Sequence, residues 1–263
     1  MSRLDTRPVL LVRPADRNAA DLLALSRLHI NADVDPYLTV DASRDPDAAK
    51  RAHALLAFLR DEADWFIATS LNAVEAVAAL TSKQAFQDGL RAARDRGARC
   101  AAVGRATANA LHQHGLMTVH LPGVATANGL ADFLLATTPP KAVALPQGNQ
   151  ALDTLPVRLH DAGVAVHKAV VYETKTVPHT PRTLARLQAG EYAVVVLRSP
   201  TAVRALHQYS PNLPATTTLV CGGPTTTAEA KRLFAAPIVD SVASDPDTVA
   251  AAVATALARQ PKG

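Results

Sequence analysis

Cysteine is scarce in this 263-residue sequence, which has only Cys100 and Cys221. A disulfide framework needs more of them, and both lie in apolar runs just before a Gly, which reads as buried, inert thiols. Long hydrophobic runs are missing as well. The first apolar stretch, Val9 to Val12, stops at Arg13, too short for the apolar segment of a signal peptide, and no uninterrupted run reaches the ~18 residues of a membrane span. The expected address is the cytoplasm, with no membrane partner. Aromatic residues make up 4%, and the densest basic run, Arg91 to Arg99, is broken by Asp95 in what reads as a helix end. That combination argues against nucleic acid; the net charge of +4 does not name an anionic partner, and a small polyanionic ligand fits it equally well.

Several chemical signatures are also absent. GxGxxG, a P-loop, HExxH, GxSxG and CxxC do not occur, and GGPTTT (Gly222 to Thr227) lacks the Gly-Lys of a Walker motif. His112, His114 and His120 form the one local histidine cluster. No carboxylate or cysteine completes a ligand set there, so they are expected on a helix end and its exposed turn, and no metal site is expected.

What is present is a rhythm. Short apolar runs at Val9 to Val12, Trp65 to Ala68, Cys100 to Val103, Val119 to Leu121, Ala142 to Leu145, Ala193 to Leu197, Leu219 to Cys221 and Ile238 to Val242 alternate with helical patterns. This predicts an α/β fold of parallel strands flanked by helices. Helices are expected to open at Asn72, Asp153, Pro200 and Pro246 and to stop at Gly97, Gly115 and Gly163.

The rhythm repeats itself. WFIATSLNAVEAV (Trp65 to Val77) matches VVVLRSPTAVRAL (Val194 to Leu206), CAAVGRATANAL (Cys100 to Leu111) matches LVCGGPTTTAEA (Leu219 to Ala230), and VLLVRP (Val9 to Pro14) faintly matches VALPQG (Val143 to Gly148). Three units recur in one order, which points to two similar α/β halves. In each strand-turn-helix junction the first helical N–H groups and the positive end of the macrodipole can receive a carboxylate or phosphate. Gly104 and Gly223 let the backbone approach such a ligand, and Ser70, Thr107, Ser199, Thr225 and Thr226 offer hydroxyls; the simpler use of each is helix capping. Arg13, closing the first strand, points a cation toward the same end or forms a strand-edge ion pair. Among the tyrosines, Tyr37 and Tyr172 close equivalent units, and a tyrosine there can protonate a leaving group or simply anchor packing.

Together LVRP (Leu11 to Pro14), ATSLNAVEA (Ala68 to Ala76), AVGRATANAL (Ala102 to Leu111), RLHDAGVAVHKAVVYET (Arg158 to Thr174), RSPTAV (Arg198 to Val203) and GPTTTAEA (Gly223 to Ala230) resemble the uroporphyrinogen-III synthase family, in that family's order and over most of the chain. A plain tandem would divide near Pro139 and Pro140. The resemblance implies another division, residues 1–37 with 175–263 as one domain and 38–174 as the other. It also implies a two-strand linker near 36–41 and 172–177, with the active site in the inter-domain cleft. It implies cyclisation of the linear tetrapyrrole hydroxymethylbilane, a lyase reaction without cofactor, by a monomer. Tyr172 matches the family's proposed proton donor, and Thr107, Thr225 and Thr226 match cleft positions. Departures are Arg198 where Thr is frequent, Thr227 where Ala usually follows the paired threonines, and PQGNQA (Pro146 to Ala151) in place of a basic Gly-containing segment. Arg198 has two uses open to it, a substrate carboxylate or a neighbouring Asp. The alternative function is a ligand-sensing module that keeps the fold without catalysis.

Overall fold

A computed structural model describes residues 5–14, 17–116, 118–136, 139–243 and 245–259. In chain order these form β1 (Val9–Leu11), α1 (Ala19–Arg27), β2 (Ala32–Val34), β3 (Leu38–Ala42), α2 (Ala48–Asp61), β4 (Trp65–Ala68), α3 (Leu71–Thr81), α4 (Lys83–Asp95), β5 (Arg99–Ala102), α5 (Arg105–Gln113) and α6 (Ala127–Ala136). There follow β6 (Ala142–Gly148), α7 (Thr154–Asp161), β7 (Ala165–Thr176), α8 (Leu184–Gln188), β8 (Val194–Leu197), α9 (Pro200–Tyr209), β9 (Thr218–Cys221), α10 (Pro224–Leu233), β10 (Ile238–Asp240) and α11 (Pro246–Arg259). The chain divides into two compact units, residues 1–39 with 175–263 and residues 40–174.

The first unit holds a sheet in the order β10-β9-β8-β1-β2, with every neighbouring pair parallel. The second holds β3-β7-β6-β4-β5, in which β7-β6, β6-β4 and β4-β5 run parallel. The order β2-β1-β8-β9 of the first sheet is reproduced as β7-β6-β4-β5 in the second. The three-unit repeat of the sequence is therefore two copies of one parallel arrangement, the first assembled from two separated stretches of chain and the second from one continuous stretch.

Parallel strands covered on both faces must be apolar throughout, and these are. In the second unit Trp65 and Ile67 of β4 face α6 and α7 with Val143 and Leu145, while Phe66 and Ala68 face α2, α3 and α5 with Ala102 and Ala144. The first unit packs Val9, Leu11, Val194 and Val196 against α1 and α11; the alternate Leu10, Val195 and Leu197 are buried as well. Gly97, Gly115 and Gly163 end helices at φ 95°, 90° and 80°, as expected from a left-handed cap.

Three expectations need correction. Val119 to Leu121 is not a strand: His120 makes a single bridge to Ala101, and the ring of His120 lies against Trp65 and Phe133. Helix α3 is capped by Ser70, whose hydroxyl accepts from Asn72 N at 3.1 Å, so Asn72 lies inside the first turn. His114 does not sit on an exposed turn. It is 6% exposed, packed edge-on to Phe86 at 5.0 Å between ring centroids.

Candidate functional site

The carboxyl ends of the parallel strands collect the residues singled out from sequence, in two sets, one per unit. In the first unit Arg13 follows β1, Ser199 follows β8 and caps α9, and Gly223 caps α10, whose first turn carries Thr225 and Thr226. In the second, Ser70 lies between β4 and α3, Gly104 caps α5, Thr107 lies in that helix's first turn, and Tyr172 is on β7 level with the end of β6.

Capping accounts for part of the pattern. The Ser70 and Ser199 hydroxyls accept from the backbone of Asn72 and Ala202 at 3.1 and 3.2 Å. Thr107 and Thr226 are withdrawn from solvent, at 5% and 2% exposure, whereas Thr225 is exposed. Gly104 has an extended φ of −163°, which any residue adopts; as an N-cap it offers no side-chain acceptor to the first N–H groups of α5. Gly223 is different, because φ of +113° strains any residue with a Cβ. Pro200 and Pro224, at the first positions of α9 and α10, supply preset φ where no N–H is needed.

Tyr172 has the most specific geometry. The β6-β7 pairing runs in register through Gln147 and Val170, then slips so that Gly148 faces Tyr172. A slip of this kind re-aims the side chain that follows it. The ring lies directly on Gly148: a Cβ there would stand 2.4 Å from Cζ and 2.8 Å from the hydroxyl oxygen. Asn149 fastens the turn, its N–H donating to Tyr172 O at 3.1 Å and its Oδ1 accepting from Thr174 N at 3.0 Å. Tyr172 is half-buried against the core of its unit. Tyr37, by contrast, is an anchor. It is fully buried, its hydroxyl lies 3.2 Å from Thr183 Oγ1, and burial pushes its pKa up to about 12. Tyr192 is likewise buried and donates to Asp33 at 2.7 Å.

At the strand ends of the first unit, Arg13 donates from Nη1 to Asp21 Oδ2 at 3.1 Å, and Arg198 donates from Nη1 to the other oxygen, Oδ1. Asp21 is 3% exposed. Burial, then the charge of Arg198, holds the Arg13 guanidinium below its ordinary pKa. Sequence reasoning missed Asp21 because an acidic residue in a helix's first turn is ordinary, and missed Gly148 because its neighbour Tyr172 is 24 positions away only in sequence and adjacent across the sheet. Both cysteines are buried and free, and burial pushes their thiols up to about 12. Among the described residues no cluster of three or more His, Cys, Asp or Glu side chains could hold a metal ion, and no helix is long and apolar enough to cross a membrane.

A family model described as uroporphyrinogen-III synthase HemD matches residues 22–250. No curated protein sequence matches the chain. Among solved structures, a mutant uroporphyrinogen III synthase of Thermus thermophilus is similar at TM-score 0.64 and 18% identity, over 96% of this chain and 100% of that one. The uroporphyrinogen-III synthetase of Helicobacter pylori is similar at TM-score 0.60 and 16% identity, over 95% and 99%. At such identities the likeness concerns the fold.

Proposed function

The chain belongs to the uroporphyrinogen-III synthase HemD family, and on that premise we propose that it cyclises hydroxymethylbilane to uroporphyrinogen III with loss of water and inversion of ring D. The observation that carries the chemistry is Tyr172, a half-buried phenol aimed by a strand slip and seated on a glycine at the carboxyl end of a parallel sheet.

The reaction asks for an acid and for positioning. The Tyr172 hydroxyl gives its proton to the substrate's terminal hydroxyl, which leaves as water from ring A. The substituted carbon of ring D attacks the resulting azafulvene and forms a spiro centre. Fragmentation toward ring C and reclosure through the free α-carbon of ring D invert that ring, and the proton lost on reclosure returns to the tyrosinate. Bilane is converted to macrocycle plus one water, with electrons supplied by the substrate's own pyrroles. The remaining work is to hold the acetate and propionate groups so that ring D meets ring A through the correct carbon. Helix openings at Ser70, Gly104, Ser199 and Gly223, with Arg13 and the hydroxyls of Thr107, Thr225 and Thr226, are the groups assigned to that task.

The test supplies freshly made hydroxymethylbilane to the purified protein without added cofactor, oxidises the products and separates the type I and type III isomers. A protein-dependent excess of type III is expected. Type I alone, the product of spontaneous closure, from demonstrably folded protein would overturn the reading in favour of a non-catalytic module on the same fold.

A further inference from the structure

We propose that Gln147 is a further substrate-binding residue, its side-chain amide donating to a carboxylate of the tetrapyrrole. This rests on the reading above and extends it to a side chain that neither titrates nor attacks. A polar side chain withdrawn into a protein is as a rule hydrogen-bonded within it. The buried hydroxyls of Thr81, Thr217 and Thr227 obey that rule. Thr107, Gln147 and Thr226 do not: at 5%, 8% and 2% exposure, their side chains make no hydrogen bond to a described residue. Nor are their polar atoms sealed. The fully buried side-chain atoms without a partner among the described residues are Asn18 Oδ1, Asn72 Oδ1 and His114 Nδ1, so the two threonine hydroxyls and both amide atoms of Gln147 touch solvent while the rest of each side chain is withdrawn. All three lie at the carboxyl ends of parallel strands. Thr107 and Thr226 open α5 and α10, after β5 and β9, and Gln147 is the penultimate residue of β6. The threonines occupy matching places in the repeat; Gln147 shares their condition without sharing their motif.

Side chains alternate along β6, so Gln147 shares the face of Val143 and Leu145, which pack against α6 and α7. Each of these helices leads back to the start of a strand, α6 to β6 and α7 to β7. Both therefore open at the carboxyl end of the sheet, where the amide emerges and where free helical N–H groups favour an anion. Gln147 is also the last residue of β6 in register with β7, opposite Val170, and the next residue is Gly148, the seat of Tyr172. A substrate group held by the amide is fixed by the same strand end that aims the acid. The residue type suits the place. An arginine or lysine withdrawn to this degree needs a counter-ion before substrate arrives, whereas an amide donates to a carboxylate and stays neutral without one. Hydrogen bonds to an ionised acceptor are the stronger kind, which favours a carboxylate over a pyrrole N–H as the partner. The chemical class is a propionate or acetate substituent of the bilane.

The experiment measures kcat and KM for hydroxymethylbilane, thermal unfolding, and fluorescence-detected binding of uroporphyrin III, a stable octacarboxylate, for the wild type, Gln147→Leu and Gln147→Glu. Gln147→Leu removes the amide and keeps roughly its volume. Because the amide has no partner in the protein, this variant should melt at or above the wild-type temperature. Its KM should rise about 10-fold or more with kcat changed less than about threefold, and uroporphyrin III binding should weaken in parallel, as expected for loss of a charge-assisted hydrogen bond. Gln147→Glu, which keeps the shape but repels a carboxylate, should bind both more weakly still. A KM or a uroporphyrin III affinity within about twofold of wild type in folded Gln147→Leu would show a side chain that only fills space. Weaker binding by Gln147→Leu than by Gln147→Glu would show an amide that accepts from the substrate; either result rejects the assignment. Should Gln147→Leu not fold, Gln147→Glu decides by the same two readouts. If the wild type makes no type III isomer the synthase reading fails, yet the amide is still judged by uroporphyrin III binding: weakened in the variants it stands, equal to wild type or absent from the wild type it is overturned.

Discussion

Tyr172 and Gly148 share one space, and substitutions at the two positions separate chemistry from packing. Tyr172→Phe removes only the hydroxyl and should lower kcat by about 100-fold or more, the usual range for a general acid, while leaving thermal unfolding nearly unchanged. Gly148→Ala must displace the ring, because 2.4 Å is far inside contact distance, so both kcat and stability should fall, the latter by ~1–3 kcal/mol. The double variant should show the same kcat as Tyr172→Phe alone; an additive loss would mean that Gly148 acts other than through the tyrosine. Cys100 and Cys221 should resist thiol reagents at pH 8 in the native protein and react on denaturation, since burial holds both as thiols. At this scale residue type alone offered Tyr37 and Tyr172 alike, and only the family resemblance set Tyr172 apart; Arg13 was open to a ligand or to an ion pair at the strand end, and it makes the ion pair with Asp21. Gly148 was invisible, and so was the identity of Asp21 as the neighbouring Asp of Arg198: their meaning lies in contacts across β-strands and helices that no local pattern records.

Helices α9 and α10 are stitched on their outer side by Glu229, which accepts from Arg204 at 3.0 Å and from Arg232 at 2.9 Å. The hydrogen bond from Arg232, with Arg204 and the two charges adding to it, depresses the Glu229 carboxyl to about 2. A carboxyl depressed in the folded state stabilises fully above its unfolded pKa of ~4.3 and loses that contribution as pH falls toward about 2. Both arginines are well exposed, so the effect is small, under ~1 kcal/mol. Glu229→Gln should therefore flatten the dependence of melting temperature on pH between about 4 and 2 while hardly altering it at pH 7. The elements themselves were legible where burial on both faces forces an uninterrupted apolar run, as in β4, β8 and β9. They were not where a strand lies at an edge. ADV of β2 is short and only partly buried and carries no apolar run to mark it, while LTVDA of β3, also largely half-buried, was reached only as the linker strand that the family resemblance implies near 36–41. Conversely, Val119 to Leu121 had the right composition and only His120 found a backbone partner; Ile238 to Val242 stops at Asp240, and Val242 is 97% exposed.

At the scale of the whole molecule the unit formed by residues 40–174 is one continuous stretch with two hydrophobic layers of its own. Expressed alone it should unfold cooperatively on heating, followed by circular dichroism; a broad, non-cooperative melt would show that it depends on the rest of the chain. The other unit is interrupted, but its two crossings are neighbours, Val177 N donating to Tyr37 O at 3.2 Å. Joining residue 39 to residue 175 by a few residues should then give a second autonomous domain by the same measurement. The interleaving has a further consequence, for synthesis on the ribosome. Strand β1 sits between β2 and β8, so Val9 and Leu11 leave the exit tunnel long before Val194 and Val196 exist. At ~5–20 residues per second that interval is about 10–40 s, ample for the middle unit to fold first. Throughout it the nascent chain carries an apolar strand with one edge unpaired, a segment that chaperones should bind and whose aggregation should worsen when elongation is slowed between codons 175 and 194.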